Sequence, residues 1–172
     1  MRTEWPGDWH VKVFRSRVDD GEHFAFVCGQ PDAETPTLVR VQHRADTFDI
    51  FTTKASQQIA DLRGAMATIG KAGVGAIIYL DRSGSSALDL LGRHLGEDAQ
   101  PTAAGVPAHQ TEDVNKPKEA VRNLGIGAQI LLNVGIRRMR VMTNRPKRII
   151  GTDAYGLEVV EQVSIPDPDE GV

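Results

Sequence analysis

Apolar and polar positions alternate in HVKVF (10–14), HFAFVCG (23–29) and TLVRVQ (37–42), the period-two pattern of half-buried strands, and the turn-rich QPDAETP separates the second from the third. Three consecutive strands with short connections predict an antiparallel meander. The period then changes. In SQQIADLRGAMATIG (56–70), Ile59, Leu62, Ala65, Met66 and Ile69 recur at helical spacing behind Ser56, a residue suited to an N-cap, and Gly70 and Gly73 supply a stop. AGVGAIIYL (72–80) is continuously apolar, as a strand covered on both faces would be.

SALDLLGRHLG (86–96) predicts a second helix, and KEAVRNLGIGAQILLNVG (118–135) a third. Residues 97–117 contain three prolines and little periodicity, which predicts a long surface loop, either a lid or disordered. RMRVMT (138–143) and EVVEQVSI (158–165) close the pattern as strands. An all-strand opening followed by alternating strands and helices predicts an α/β (α+β) fold with a mixed sheet and packed helices. One domain is expected over residues 1–165, with 166–172 a disordered acidic tail.

Composition narrows the function. A chain of 172 residues, 40% hydrophobic, suits a single core, and a net charge of −3 gives no basic face for nucleic acid. No apolar run is long enough for a membrane span, and the first residues lack the apolar stretch of a signal peptide, so a cytoplasmic location is expected. Cys28 is the single cysteine, which excludes an internal disulfide and any cysteine-rich zinc site; it is expected to be a buried small apolar residue.

RNLGIGAQILLNVGIRRMRVMTNRPKRIIGTDAYGLEVVEQVSI (122–165) is similar to the C-terminal half of GTP cyclohydrolase II, and DGEHFAFVCG and TPTLVRV resemble its first strands. The resemblance implies a homodimeric α/β fold that binds a purine nucleoside triphosphate with Mg²⁺ and opens its imidazole ring with zinc. It also implies where site residues fall. The family's Arg-Val-His-Ser-Glu-Cys run, which contacts nucleotide and supplies a zinc thiolate, corresponds to Arg40, Val41, Gln42, His43, Arg44 and Ala45. Its Cys-x-Cys corresponds to Thr53, Lys54 and Ala55. The family's following glutamine is kept as Gln58, whereas its Glu-Gly-Arg appears as Ser83, Gly84 and Ser85. Its Asp-x-Arg, the proposed base and nucleophile, reads Ala120, Val121 and Arg122, and Thr143 and Arg148 fall where it has a nucleotide-contacting threonine and lysine.

These substitutions decide which chemistry survives. Ring opening needs a hydroxide near neutral pH, which Zn²⁺ supplies by lowering the pKa of bound water to about 7 from about 15.7. With all three thiolates gone, His43 alone cannot hold zinc, and Arg44 and Lys54 add positive charge where the cation would sit. Glu119 does not replace the aspartate, because one residue turns a helix by about 100°. Arg40, Arg44, Arg122 and Arg148 still suit phosphate oxygens.

The expected function is therefore a zinc-independent hydrolase of a purine or related nucleotide, with Mg²⁺ on the phosphates, Arg122 and His43 catalytic, and no ring opening. The anionic end is expected among Arg122, Thr143 and Arg148, and the base or sugar near Gln42, His43 and Arg44. The alternative is a non-catalytic nucleotide sensor or an inactive partner subunit of a cyclohydrolase. Structural roles stand beside each assignment: Thr143 as a turn cap, Gln58 as a helix-surface amide, the arginines as solvated charges, and Ser83, Gly84 and Ser85 as a plain turn.

The loss of every thiolate predicts purified protein without stoichiometric zinc and without formate production from GTP. About one zinc per chain in elemental analysis, or release of the ring-opened pyrimidine, would contradict this.

Overall fold

The computed structural model describes residues 5–17, 21–43, 53–80, 112–146 and 148–166. The expected helix at 86–96, the first fifteen residues of the expected loop at 97–117, and most of the expected tail lie outside them. So do Arg44, Ser83, Gly84 and Ser85. Within them, six strands and two long helices form in the order β1 (Trp9–Arg15), β2 (Glu22–Cys28), β3 (Thr37–His43), α1 (Thr53–Ala72), β4 (Gly75–Leu80), α2 (Glu112–Asn133), β5 (Arg138–Met142) and β6 (Glu158–Val163). A 3₁₀ turn, Asp153–Tyr155, precedes β6. The fold is a mixed α/β structure.

The sheet order is β1-β2-β4-β3-β5-β6. β1 and β2 form the expected hairpin, and β2 pairs antiparallel with β4, but β3 pairs parallel with β4 and β5. The meander thus stops after two strands. The reason lies in β4: Ala76, Ile77 and Ile78 are buried on both faces of the sheet, so this strand needs neighbours on each side and cover above and below. The α1 crossover lets it enter between β2 and β3 as a parallel partner of β3.

Alternation then divides the core. Trp9, Cys28 and Ile77 face α1 and pack with Ala65 and Ile69. Val39, Ala76 and Ile78 face the other way and pack with Ala128, Ile130 and Leu131 of α2. Cys28 is fully buried among apolar groups as expected, and burial pushes its thiol pKa upward. Of the five residues expected on the buried stripe of α1, Ile59 is instead 52% exposed, because it lies in the first turns of the helix, ahead of the core contacts that Ala65 and Ile69 make.

Both helix boundaries shift from their sequence expectations. α1 starts at Thr53, which puts Ser56 inside it rather than at its N-cap, and Gly70 is also within the helix. Gly73, at φ +77°, makes the stop: its N–H donates to the carbonyl of Ile69 at 2.9 Å. α2 takes in residues 112–117 from the expected loop and closes at Gly135, φ +90°, with Ile136 N–H donating to the Leu131 carbonyl at 2.9 Å. On β5 and β6, Arg138 pairs with Glu158 and Arg140 with Glu161, both exposed to solvent.

Close approach of α1 to the chain after β6 depends on Gly64. A Cβ there would lie 2.3 Å from the Pro166 carbonyl oxygen and 2.9 Å from Ile165. Gly64→Ala is expected to destabilise the fold by about 1 to 3 kcal/mol, the overpacking cost outweighing the roughly 1 kcal/mol helix-propensity gain. Urea unfolding measures it, and an unchanged or raised midpoint would contradict that close contact.

Candidate functional site

Side chains expected at the site separate onto two faces of the sheet. On the α1 face, Arg40 from β3 extends between strand and helix. Its Nη1 donates to the Met142 carbonyl at 3.0 Å, and its Nη2 donates to Gln42 Oε1 at 3.0 Å and lies 3.9 Å from Asp61 Oδ2. Gln42 is buried, and its Nε2 donates to the His43 carbonyl at 3.2 Å. Burial lowers the pKa of the Arg40 guanidinium, and the Asp61 charge opposes that shift.

Asp61 joins three elements. Its Oδ1 accepts from Gln57 on α1 at 3.0 Å and from Asn144, after β5, at 3.1 Å. Asn144 Oδ1 in turn accepts the Ile165 N–H at 2.8 Å. The turn that follows β5 is set by Thr143, whose hydroxyl accepts the Arg145 N–H at 3.1 Å and whose own N–H donates to the Val163 carbonyl at 2.8 Å. Arg40, Gln42, Asp61 and Asn144 therefore form one polar cluster where the parallel strands end, and Thr143 sets the turn beside it. Its cation already has a carboxylate and a carbonyl as partners. Gln58 stands one turn before Asp61 on α1, half-buried, with a buried Oε1 that has no hydrogen-bond partner among the described residues.

Arg122 is elsewhere. It lines a cleft of about 800 Å³ on the α2 face, with Phe14, His23, Gln129 and Tyr155. β1 and β4 run in the same direction, since each is antiparallel to β2, so the cleft opens at the same carboxyl edge as the polar cluster. Arg15 and Arg17 also line it, and its described lining contains no aspartate or glutamate. None of Arg40, Val41, Gln42, His43, Gln58, Thr143 or Arg148 is among its lining residues. His43, half-buried, ends β3 on the Val39 and Val41 side by alternation, and Arg148 is exposed beyond the β5 turn. The structure thus brings together Arg40 and Gln42 and separates them from Arg122. Among the described residues no cluster of three or more metal-ligating side chains occurs.

Asp61, His23, Gln129 and Tyr155 carry no assignment in the sequence reading. Asp61 had a signal, a carboxylate directly before Leu62 on the inward side of an amphipathic helix. Gln129 had another, two turns from Arg122.

Fold and cleft together define a mixed α/β domain with an arginine-lined cleft at the carboxyl edge of its parallel strands. The family GTP cyclohydrolase II matches residues 1–164, and the chain belongs to it. It is 34% identical over 159 residues to riboflavin biosynthesis protein RibBA of Chlorobium phaeovibrioides, covering 92% of this chain and 38% of that protein. With RibBA of Porphyromonas gingivalis it shares 38% identity over 168 residues, covering 96% and 40%. The chain thus spans about two-fifths of the length of these curated relatives. A two-domain 3,4-dihydroxy-2-butanone 4-phosphate synthase from A. baumannii, RibBX, aligns over 93% of this chain and 40% of its own at a TM-score of 0.41 and 14% identity. No described helix is long and apolar enough to cross a membrane.

Removing Asp61 leaves the Arg40 cation enclosed without its carboxylate. Asp61→Ala is expected to cost about 2 kcal/mol or more, below the full penalty for a buried pair because the charges stand 3.9 Å apart with slight exposure. Arg40→Met in the same background should recover much of the loss. Chemical denaturation of the single and double variants checks both, and additive losses would contradict the pairing.

Proposed function

We propose that this chain is a zinc-independent member of its family that binds a purine or related nucleotide and hydrolyses a phosphoanhydride or glycosidic bond without opening the imidazole ring. The observation that carries this reading is the position of Arg122 in an 800 Å³ cleft that Arg15 and Arg17 also line. A planar guanidinium in such a cleft holds a phosphate through two parallel N–H bonds. The names of the relatives, riboflavin biosynthesis proteins, support a related hydrolytic or biosynthetic role.

Mg²⁺ would enter with the nucleotide and would offset the charge of its phosphates. Ala45, Thr53 and Ala55 stand at the zinc positions implied by the family, so the attacking water needs another activator. His43, at the carboxyl end of β3, is the acid or base assigned to that step. A homodimer belongs to the same proposal. It is supported by an apolar groove of about 250 Å³ on the α1 face, lined by Phe24, Phe26, Leu62 and Tyr79, with Val13 60% exposed on the adjoining strand. The second reading, a nucleotide sensor or inactive partner subunit, is favoured by Arg40, whose charge is already matched within the chain.

The test is a panel of nucleotides incubated with protein and Mg²⁺, followed by mass spectrometry and calorimetry. Arg122→Ala is expected to weaken binding roughly 10-fold to 100-fold, the equivalent of about 1.5 to 3 kcal/mol for a charge-assisted contact. His43→Ala should leave affinity nearly intact and lower turnover. Binding without turnover in the wild type selects the sensor, and unchanged affinity in Arg122→Ala overturns the Arg122 anion site.

A further inference from the structure

Arg122, Gly125, Gln129 and Asn133 recur along α2 at spacings of three and four residues, and all of them line the cleft. Arg122 and Gln129 are two turns apart, so their backbone positions differ by about 10.5 Å along the helix axis. This is comparable with the length of a nucleoside monophosphate.

The middle of the stripe lacks a side chain, and that position is used. A Cβ on Gly125 would lie 3.1 Å from the hydroxyl of Tyr155, so glycine lets the phenol approach the helix between the levels of Arg122 and Gln129. Phe14 reaches the same cleft from β1, giving an apolar aromatic surface beside the helix. The two ends of the stripe differ in chemistry. Arg122 offers only donors and a fixed charge, whereas the Gln129 amide offers a donor and an acceptor side by side, as does the edge of a nucleobase. Phosphate oxygens leave the donor of that amide usable and its acceptor idle.

We infer that a nucleoside phosphate lies lengthwise along this face of α2, its phosphate on Arg122 and its base edge on the Gln129 amide, beside Phe14 and Tyr155. The inference rests on the nucleotide-binding reading above and gives it a base-recognition residue. It places the base away from Gln42, whose amide already bonds within the chain.

Titration calorimetry with GTP, ATP, CTP and UTP, and separately with inorganic pyrophosphate, tests it on the full chain in Mg²⁺. Gln129 is exposed, so its replacement leaves the core intact. Gln129→Ala is expected to weaken the best-bound nucleotide about 3-fold to 10-fold, the loss of neutral hydrogen bonds, and to leave pyrophosphate affinity unchanged. Nucleotide affinity unchanged in Gln129→Ala, or lowered equally for pyrophosphate, overturns the base site while leaving nucleotide binding standing. A wild type that binds none of the four nucleotides overturns the functional reading and this inference with it.

Discussion

The two-sided burial of β4 is the constraint on which the rest of this molecule depends. A strand with Ala76, Ile77 and Ile78 removed from water on both faces needs a helix on each side of the sheet and a strand at each edge. Those four demands bring α1 to one face and α2 to the other, draw β2 and β3 apart, and make the second half of the sheet parallel. Parallel strands that end together create an edge where loops and helix ends converge, and both polar regions of the protein lie there.

The two regions place their arginines differently. On the α1 face, Arg40 is held by a carbonyl, an amide and the Asp61 carboxylate, and Asp61 also holds Asn144. This network joins β3, α1 and the segments after β5 and β6, and its charges largely cancel. On the α2 face, Arg122 lies in an open cleft whose described lining carries no carboxylate. Two arginines that look alike in the sequence thus occupy different settings, one enclosed between β3 and α1 and the other on the wall of a cleft.

Membership of the GTP cyclohydrolase II family sits beside the absence of cysteine at the positions that correspond to its thiolates. Three thiolates hold a metal only together, so their replacement by Ala45, Thr53 and Ala55 removes the site as a unit rather than weakening it. Anion binding is more robust to such change, because each arginine contributes by itself.

The sequence by itself determined the described strands, to within a few residues, and both described helices, because their periodicity and glycine stops are local properties of the chain. It also determined the family, and the missing thiolates, which need only be read. Strand pairing was a different matter. Alternation in TLVRVQ says that β3 is half-buried but not which strand lies beside it, and only burial of β4 decided that. Arg40 and Arg122 likewise differ through neighbours distant in sequence: Asp61 and Met142 for the first, Phe14 and Tyr155 for the second. Tertiary structure decided which arginine is enclosed against Asp61 and which lines a cleft, because charge pairing and burial depend on distances across the fold that spacing along the chain does not contain.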